Sequence, residues 1–528
     1  MTDQFPIFKH PTLGGIKGCE VLEGVHQYRG LPYAKIPRRW ENSVVLSALG
    51  ESRSVEEVYD ATKWGPMSPQ PAGSINIDFN LIQKELAYSA EDATMDEFNC
   101  LNLNVTKPAT ESQEKLPVLF VIHGGAFFIG ANSWPQYDTS RLVQLGAKIG
   151  KPFIAVSINY RLGHLGFLSS GELNPADAPG NYGLVDQQNA MRWVKENIAG
   201  FGGDPDNITC FGESAGGIST HLHLLRGEKL FTRAACLSGD VTVRPIQPID
   251  KQQRRYEELL KRLGIEGATA NDRVAELRKI SWETLVKDPA NFRPFPTMSG
   301  GYQDITSNKT AQCQQCETHF SWCKELLFSD CSQDGSLYMK AFIDKPWEEN
   351  LDKALKHYLT PEEAQLVWET WQIGQRKSDL NPVDLGLVQF ITDVRFYWPV
   401  VRTIHSAPAN ANLHVYHFHQ PNPFDGIAKG LASHELDLAL LLLNYSSEVD
   451  SDVAATSELL ARHIIEFTYG ALAEDRSTAT VFDNGVQRKV KHDVYDREER
   501  QRAAEVIKTV GPDKCFNALE LFQFGEVN

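Results

Sequence analysis

The sequence predicts an α/β fold: a large, mixed but mostly parallel sheet flanked by helices, with helical insertions. Three observations lead there. Continuous apolar runs such as Leu116-Pro117-Val118-Leu119-Phe120-Val121-Ile122 suit strands buried on both faces, the habit of parallel sheets. Helical periodicity alternates with them, as in Asp186 to Asn197, where Ala190, Trp193 and Val194 share a face. The pentapeptide Gly212-Glu213-Ser214-Ala215-Gly216 stands between a β-prone run, Ile208 to Phe211, and a helix-like run, Ile218 to Leu225. A serine on such a turn presents its hydroxyl above the sheet, and flanking glycines remove side chains that would clash.

In chain order, residues 10 to 60 read as short antiparallel strands feeding the sheet edge. Residues 66 to 98 open with a Pro- and Ser-rich stretch and read as a surface segment capping a site entrance. Residues 117 to 240 hold the central sheet, and Leu326 to Ser329 and Leu413 to Phe418 add strands. Residues 250 to 300 and 345 to 405 read as helical cap insertions, with helices at Lys251 to Leu263 and Pro361 to Trp371. The charged stretch Tyr495 to Val510 reads as one helix packed outside. Motifs spread over most of the 528 residues belong to one sheet, so a single domain is expected.

Serine is a poor nucleophile at its free pKa, so Ser214 needs a base, an acid to orient that base, and donors for an oxyanion. The run Leu116 to Ile122 ends in His123-Gly124-Gly125-Ala126-Phe127. Glycines directly after a buried strand let backbone N–H groups turn toward a ligand. The amides of Gly125 and Ala126, with that of Ala215, are therefore candidates for the oxyanion hole.

Several blocks, in order, make the chain resemble the type-B carboxylesterase/lipase family (carboxylesterase- and cholinesterase-like, fungal-type) of the α/β-hydrolase fold. Tyr28-Arg29-Gly30-Leu31-Pro32-Tyr33-Ala34 resembles its "RGIPYA" strand, and Leu101-Asn102-Leu103-Asn104-Val105 its "CLYLNV". Asn159-Tyr160-Arg161-Leu162-Gly163 matches "NYRLG", and Gly180 to Gln187 matches "GNxGLxDQ". Phe201-Gly202-Gly203-Asp204-Pro205 leads into the pentapeptide as in the family. There are departures. The family's "GPxCPQ" is here Gly65-Pro66-Met67-Ser68-Pro69-Gln70, so the usual disulfide partner of Cys100 is missing. The family's "SEDC" is Glu97-Phe98-Asn99-Cys100, which displaces the acid that often pairs with the Arg161 position. Ala126 stands where a third glycine is commoner.

The resemblance implies a Ser-Asp-His order along the chain. Asp334, followed by Gly335, falls on the family's acid position, with Asp330 and Asp304 as rivals. His434, in Gly430-Leu431-Ala432-Ser433-His434-Glu435-Leu436-Asp437, resembles the histidine of "GxxHxxDL". His414, His417 and His419 lie along a strand, where spacing suits packing or solvent better than ligation. Asp437 and Ser238 resemble positions that support the histidine from behind. Phe127 and Phe128 stand where they could contact the acyl or alcohol part, although packing is an equal reading. Glu213 resembles the acidic neighbour of cholinesterases. A quaternary-ammonium site would need an aromatic cage, for which Trp64 and Trp134 are candidates in position only.

The formal charge of −16 disfavours nucleic acid and anionic membranes as partners, and the longest apolar runs are too short for a transmembrane segment. Nine cysteines, the missing bridge partner and an N-terminus without a basic region and apolar core predict a cytoplasmic location. Cys313-Gln314-Gln315-Cys316, with His319, Cys323 and Cys331, invites a zinc reading. No second Cys-x-x-Cys follows, and Cys331 lies in the acid loop, so no metal is expected. The sequence thus predicts a serine carboxylic-ester hydrolase acting on a small-molecule ester through an acyl-enzyme, with no cofactor. An acyltransferase or cyclising enzyme on the same triad is the alternative. A non-catalytic adhesion module fits poorly with an intact Ser214, Asp334 and His434 set.

Overall fold

Runs rich in Val, Ile, Leu and Phe build an 11-stranded sheet. Its strands in chain order are β1 (Cys19–Leu22), β2 (Val25–Pro32), β3 (Asn102–Pro108), β4 (Leu116–Ile122), β5 (Ile154–Ile158), β6 (Gly203–Glu213), β7 (Arg233–Leu237), β8 (Glu325–Cys331), β9 (Asn412–Phe418), β10 (Thr478–Asp483) and β11 (Val486–Lys491). Across the sheet they run β11-β10-β9-β8-β7-β6-β4-β5-β3-β2-β1. The pairs from β5 through β4, β6, β7, β8 and β9 to β10 are parallel. The edges β1–β2–β3–β5 and β10–β11 are antiparallel. The computed structural model describes residues 7–50, 57–89, 94–109, 114–173, 180–289, 293–298, 322–343, 346–376, 383–473 and 475–525.

Every residue of β4 is buried. Val118, Phe120 and Ile122 enter one apolar cluster while Leu119 and Val121 enter another, so alternate side chains feed cores on the two faces of the sheet. Helices cover both faces. The ones that matter for the site are α1 (Ser74–Ile82), α2 (Ser140–Lys148), α3 (Tyr182–Asn197), α4 (Ala215–Arg226) and α5 (Ser451–Thr468). Of the segments read as insertions, residues 66 to 98 contain α1. Residues 250 to 300 carry the helices Ile249–Leu263, Ala270–Lys279 and Trp282–Val286. Residues 345 to 405 carry Trp347–Tyr358, Pro361–Trp371 and Leu385–Thr392, which share an apolar cluster with the C-terminal helix Pro512–Phe524.

One local feature departs from the sequence reading, and one expected departure from the family pattern is resolved. The stretch Tyr495 to Val510 is not one helix. It breaks between His492–Glu498 and Ala503–Val510, with Gln501 and Arg502 at φ 52° and 61°. The break turns Arg500 inward, where its guanidinium bonds Asp330, Asp393 and the carbonyl of Ser332. Tyr495 is buried with it, so this stretch is part of the interior. Arg161 finds its charge partner inside the "GNxGLxDQ"-like block. Its Nε and Nη2 each lie 2.7 Å from the carboxylate of Asp186 in α3, a bidentate pair with both side chains buried. Glu97 pairs with Arg39 instead. Cys100 is a free, buried thiol, and Ser68 accepts a hydrogen bond from the Leu162 amide at 3.1 Å.

Removing one member of a buried ion pair leaves the other uncompensated, at about 3–5 kcal/mol. Asp186→Asn is therefore expected to lower the unfolding free energy measured in urea by about 3–5 kcal/mol, seen as a lower midpoint at an unchanged slope. An unchanged midpoint would show that the pair adds nothing to stability.

Candidate active site

The parallel strands deliver their C-terminal ends to one edge of the sheet, where α/β folds place their ligand sites. The end of β6 is the sharpest of these turns. Ser214 sits at φ 51°, ψ −120°, and α4 starts at the next residue. A Cβ on Gly212 would lie 2.2 Å from the Gly216 backbone, and one on Gly216 would lie 2.0 Å from the Ile122 carbonyl oxygen. Both glycines are thus forced by close backbone approach.

The loops after β8 and β9 bring the acid and the histidine to this turn. Gln333 and Ser433 form a parallel bridge, and the amide of His434 donates to Ser336 Oγ at 3.0 Å. His434 Nε2 lies 3.0 Å from Ser214 Oγ, and His434 Nδ1 lies 2.7 Å from Asp334 Oδ1. The other oxygen of Asp334 accepts from the Cys331 amide at 2.7 Å and from Ser238 Oγ at 3.0 Å. The rival Asp330 is engaged elsewhere, by His417 at 2.8 Å and by Arg500. Asp304 lies outside the described residues. Asp437 is buried but bonds Tyr416 at 2.8 Å and the Leu438 amide, so it reaches His434 through charge alone.

The loop after β4 carries successive left-handed residues, Gly125 at φ 86°, Ala126 at 56° and Phe127 at 61°. The turn is closed by the amides of Phe128 and Ile129, which both donate to the Gly125 carbonyl. Among the described residues, no backbone acceptor pairs with the amides of Gly125, Ala126 or Ala215. A Cβ on Gly124 would lie 2.8 Å from Glu213 Oε2, so this loop packs directly on the residue before the serine. Phe127 is fully buried against Phe167, with ring centroids 4.7 Å apart, and Phe128 is buried in the core on the other face. Both rings lie in the interior.

Charge is concentrated here. His434 is only 2% exposed, and Glu213 Oε1 lies 3.3 Å from its Nε2. Burial opposes the imidazolium, yet the charges of Glu213, Asp334 and Asp437 outweigh it and raise its pKa to about 9. Burial likewise pushes the Glu213 carboxyl well above its usual range, with His434 pulling the other way. Burial raises Asp334 too, against the bond from His434, and carries Asp437 to about 6.

Several neighbours had no strong signal in the sequence. Phe396 packs on the His434 ring at 5.3 Å. Glu435, Tyr137 and Asp78 form a buried acidic group beside His434. Neither tryptophan builds a cage. Trp64 lies under the Arg29 guanidinium at 4.0 Å, and Trp134 is buried and stacks on Tyr137. Of the zinc candidates, Cys313, Cys316 and His319 lie outside the described residues. Cys323 and Cys331 are buried thiols, bonded to the Thr232 carbonyl and near Ser238 Oγ respectively. Among the described residues no group of three or more His, Cys, Asp or Glu could hold a metal, and no helix is long and apolar enough to cross a membrane.

The chain matches known proteins over most of its length. The sequence model of the carboxylesterase family matches residues 8–470. Para-nitrobenzyl esterase of Bacillus subtilis is 33% identical over 417 residues, 77% of this chain and 77% of its own. Lipase 3 of Yarrowia lipolytica is 29% identical over 525 residues, 97% of this chain and 96% of its own. A solved PNB esterase structure superposes with a TM-score of 0.72 at 27% identity, covering 95% of this chain and 100% of that one.

The Glu213 carboxylate stabilises imidazolium, and a base at His434 works only when neutral. Glu213→Gln should therefore lower the pKa of His434 from about 9 and move the acid limb of the kcat/KM–pH profile to lower pH. A limb that stays in place would remove Glu213 as the source of the shift.

Proposed function

The chain belongs to the carboxylesterase family, with the α/β-hydrolase fold, and we propose that it cleaves carboxylic esters through a serine acyl-enzyme. The observation that carries this reading is the unbroken line from Ser214 Oγ to His434 Nε2 at 3.0 Å and from His434 Nδ1 to Asp334 at 2.7 Å. Ser214 Oγ attacks the ester carbonyl while His434 Nε2 takes its proton. Asp334 holds the imidazole with Nδ1 protonated and stabilises the imidazolium, without taking the proton itself. Ser238 and the Cys331 amide hold the second oxygen of Asp334, which fixes the carboxylate plane.

The negative charge on the carbonyl oxygen is met by the amides of Gly125, Ala126 and Ala215, the last at the start of α4, whose dipole favours an anion. The methyl of Ala126 leaves its N–H available. His434 returns the proton to the leaving alcohol, then takes one from water as its oxygen attacks the acyl carbon; the Ser214 Oγ–acyl bond breaks, the acid leaves, and His434 gives the proton back to Ser214 Oγ. The reaction needs no metal or cofactor. The segments 66 to 98, 250 to 300 and 345 to 405 cap the site and shape the pocket for a small-molecule ester; Phe396 beside His434 is part of its wall.

Ser214→Ala is expected to lower kcat/KM on p-nitrophenyl butyrate by about 10⁴-fold or more, and Asp334→Asn by about 10⁴-fold, with folding intact by circular dichroism. A Ser214→Ala protein that still releases nitrophenol at the wild-type rate would overturn the assignment. Product analysis with an added alcohol acceptor separates hydrolysis from acyl transfer by the same acyl-enzyme.

A further inference from the structure

Directly after His434, Glu435 adopts the left-handed conformation at φ 71°, a strained state for a residue with a side chain. Its carboxyl joins a group that includes α1. Tyr137 Oη lies 2.7 Å from Glu435 Oε1 and 3.2 Å from Asp78 Oδ1, and Gln136 Nε2 donates to Asp78 Oδ2 at 2.7 Å. The Tyr137 hydroxyl thus joins the Asp78 and Glu435 carboxyls, and both are buried. The Tyr137 hydroxyl has one hydrogen and can serve only one of them. Two buried carboxyls that share one hydroxyl, with no cation paired to either, need one further proton to avoid facing each other as two charges. Among the described residues no lysine or arginine pairs with either.

The other titratable groups facing this pair are Glu213 and His434 from the catalytic turn and loop, and Tyr445 beyond Leu442. Burial, then Asp78 and Glu213, push Glu435 well above the usual carboxylate range, and burial raises Asp78 against the bonds it accepts. The location gives the pair a mechanical role. Asp78 lies in α1, in the segment whose family disulfide is missing here, with Cys100 left as a free thiol. The base of that segment is closed by backbone bonds from Met67 to Thr94 and from Asp96 to Met67. Further up, α1 is tied down by the Asn422 side chain on the Ile82 carbonyl at 3.0 Å and by the acid pair.

We propose that Asp78 and Glu435 are positioning residues: through one shared proton bridged by Tyr137, they fasten α1 to the loop that carries His434, in the segment that lacks its covalent staple. Loss of that proton to solvent leaves two buried carboxylates facing each other, and α1 releases from the loop. A carboxyl raised in the folded state contributes stability below its unfolded pKa and loses it as pH rises through the folded value, so release comes on the alkaline side.

The test is hydrogen exchange of the α1 amides in the full chain at about pH 7 and about pH 9.5, with rates corrected for intrinsic chemistry. Wild type should be protected at the lower pH and lose about tenfold or more at the higher, as expected for a lost charge-assisted hydrogen bond. Glu435→Gln keeps an oxygen for the Tyr137 hydroxyl but removes the titrating carboxyl, and should stay protected at both. Glu435→Gly, which relaxes the left-handed backbone, should be unprotected at both. The proposal is overturned if wild type and Glu435→Gln lose protection equally, or if Glu435→Gly stays protected. The kinetic counterpart rests on His434 as the base: the alkaline limb of kcat/KM should move to higher pH in Glu435→Gln. The exchange readout does not need turnover, so it stands or falls apart from the ester-hydrolase reading.

Discussion

At Ser214 the chain leaves β6 and enters α4 within one residue, at a φ of 51° that a serine does not choose freely. The turn persists because its surroundings over-determine it. Gly212 and Gly216 allow backbone to pack on backbone at distances no side chain would permit, and the Ser214 amide is fastened to the Leu237 carbonyl of the next strand. The loop after β4 then has to fit against Glu213, which makes Gly124 obligatory. Strain at the site is shared. Ala126, Phe127, Ser214, Ser238 and Glu435 all take positive φ, and each lies at the end of a strand or beside the histidine. The large sheet with buried faces holds these residues in place, in keeping with the idea that strained positions survive only where the rest of the fold fixes them.

The second constraint is electrostatic. One buried imidazole is surrounded by Glu213, Asp334 and Asp437, with Asp78 and Glu435 next to them. In water these groups would carry several negative charges. In the interior that state is costly, so burial raises the carboxyls of Glu213, Asp334, Asp437, Asp78 and Glu435, while the negative charge of Glu213, Asp334 and Asp437 makes His434 hold its proton more tightly. The opposite logic operates a few residues away. Asp330 has His417 and Arg500 beside it and is held below the usual carboxylate range despite burial. Two aspartates four positions apart are therefore shifted in opposite directions: the charges of His417 and Arg500 overcome burial at Asp330, whereas at Asp334 burial outweighs the bond from His434.

The departures from the family pattern have local compensations. Arg161 lost the acid of the cysteine stretch and is matched by Asp186 with bidentate geometry, while Glu97 serves Arg39. The position of the missing cysteine, Ser68, spends its hydroxyl on the Leu162 amide at the start of the turn after β5. Arg500, beyond the stretch matched by the family model, reaches back to Asp330 and to the Ser332 carbonyl, bracing the loop that ends in Asp334.

Much of this was legible in the order of residues. The strand Leu116–Ile122 and the helix Pro361–Trp371 occupy the residues read from pattern, because a continuous apolar run and a Thr-Pro start with Glu three residues on are strictly local signals. Ser214, Gly125 and Ala126 were visible because their glycines are required by backbone contacts that recur wherever this turn is made. Asp334 and His434 were located by resemblance, and Asp330 stayed a rival because sequence does not say which carboxylate meets which imidazole. Only the tertiary structure decided that, by turning Arg500 inward and breaking the helix that local charge had suggested between Tyr495 and Val510. It also decided that Phe127 packs on Phe167, that Trp64 faces Arg29, and that Tyr137 joins Asp78 to Glu435 across more than three hundred residues of chain. Local propensity and backbone sterics are written into neighbouring residues, whereas charge partners and proton sharing depend on which distant side chains are buried together, and that is set only when the sheet is assembled.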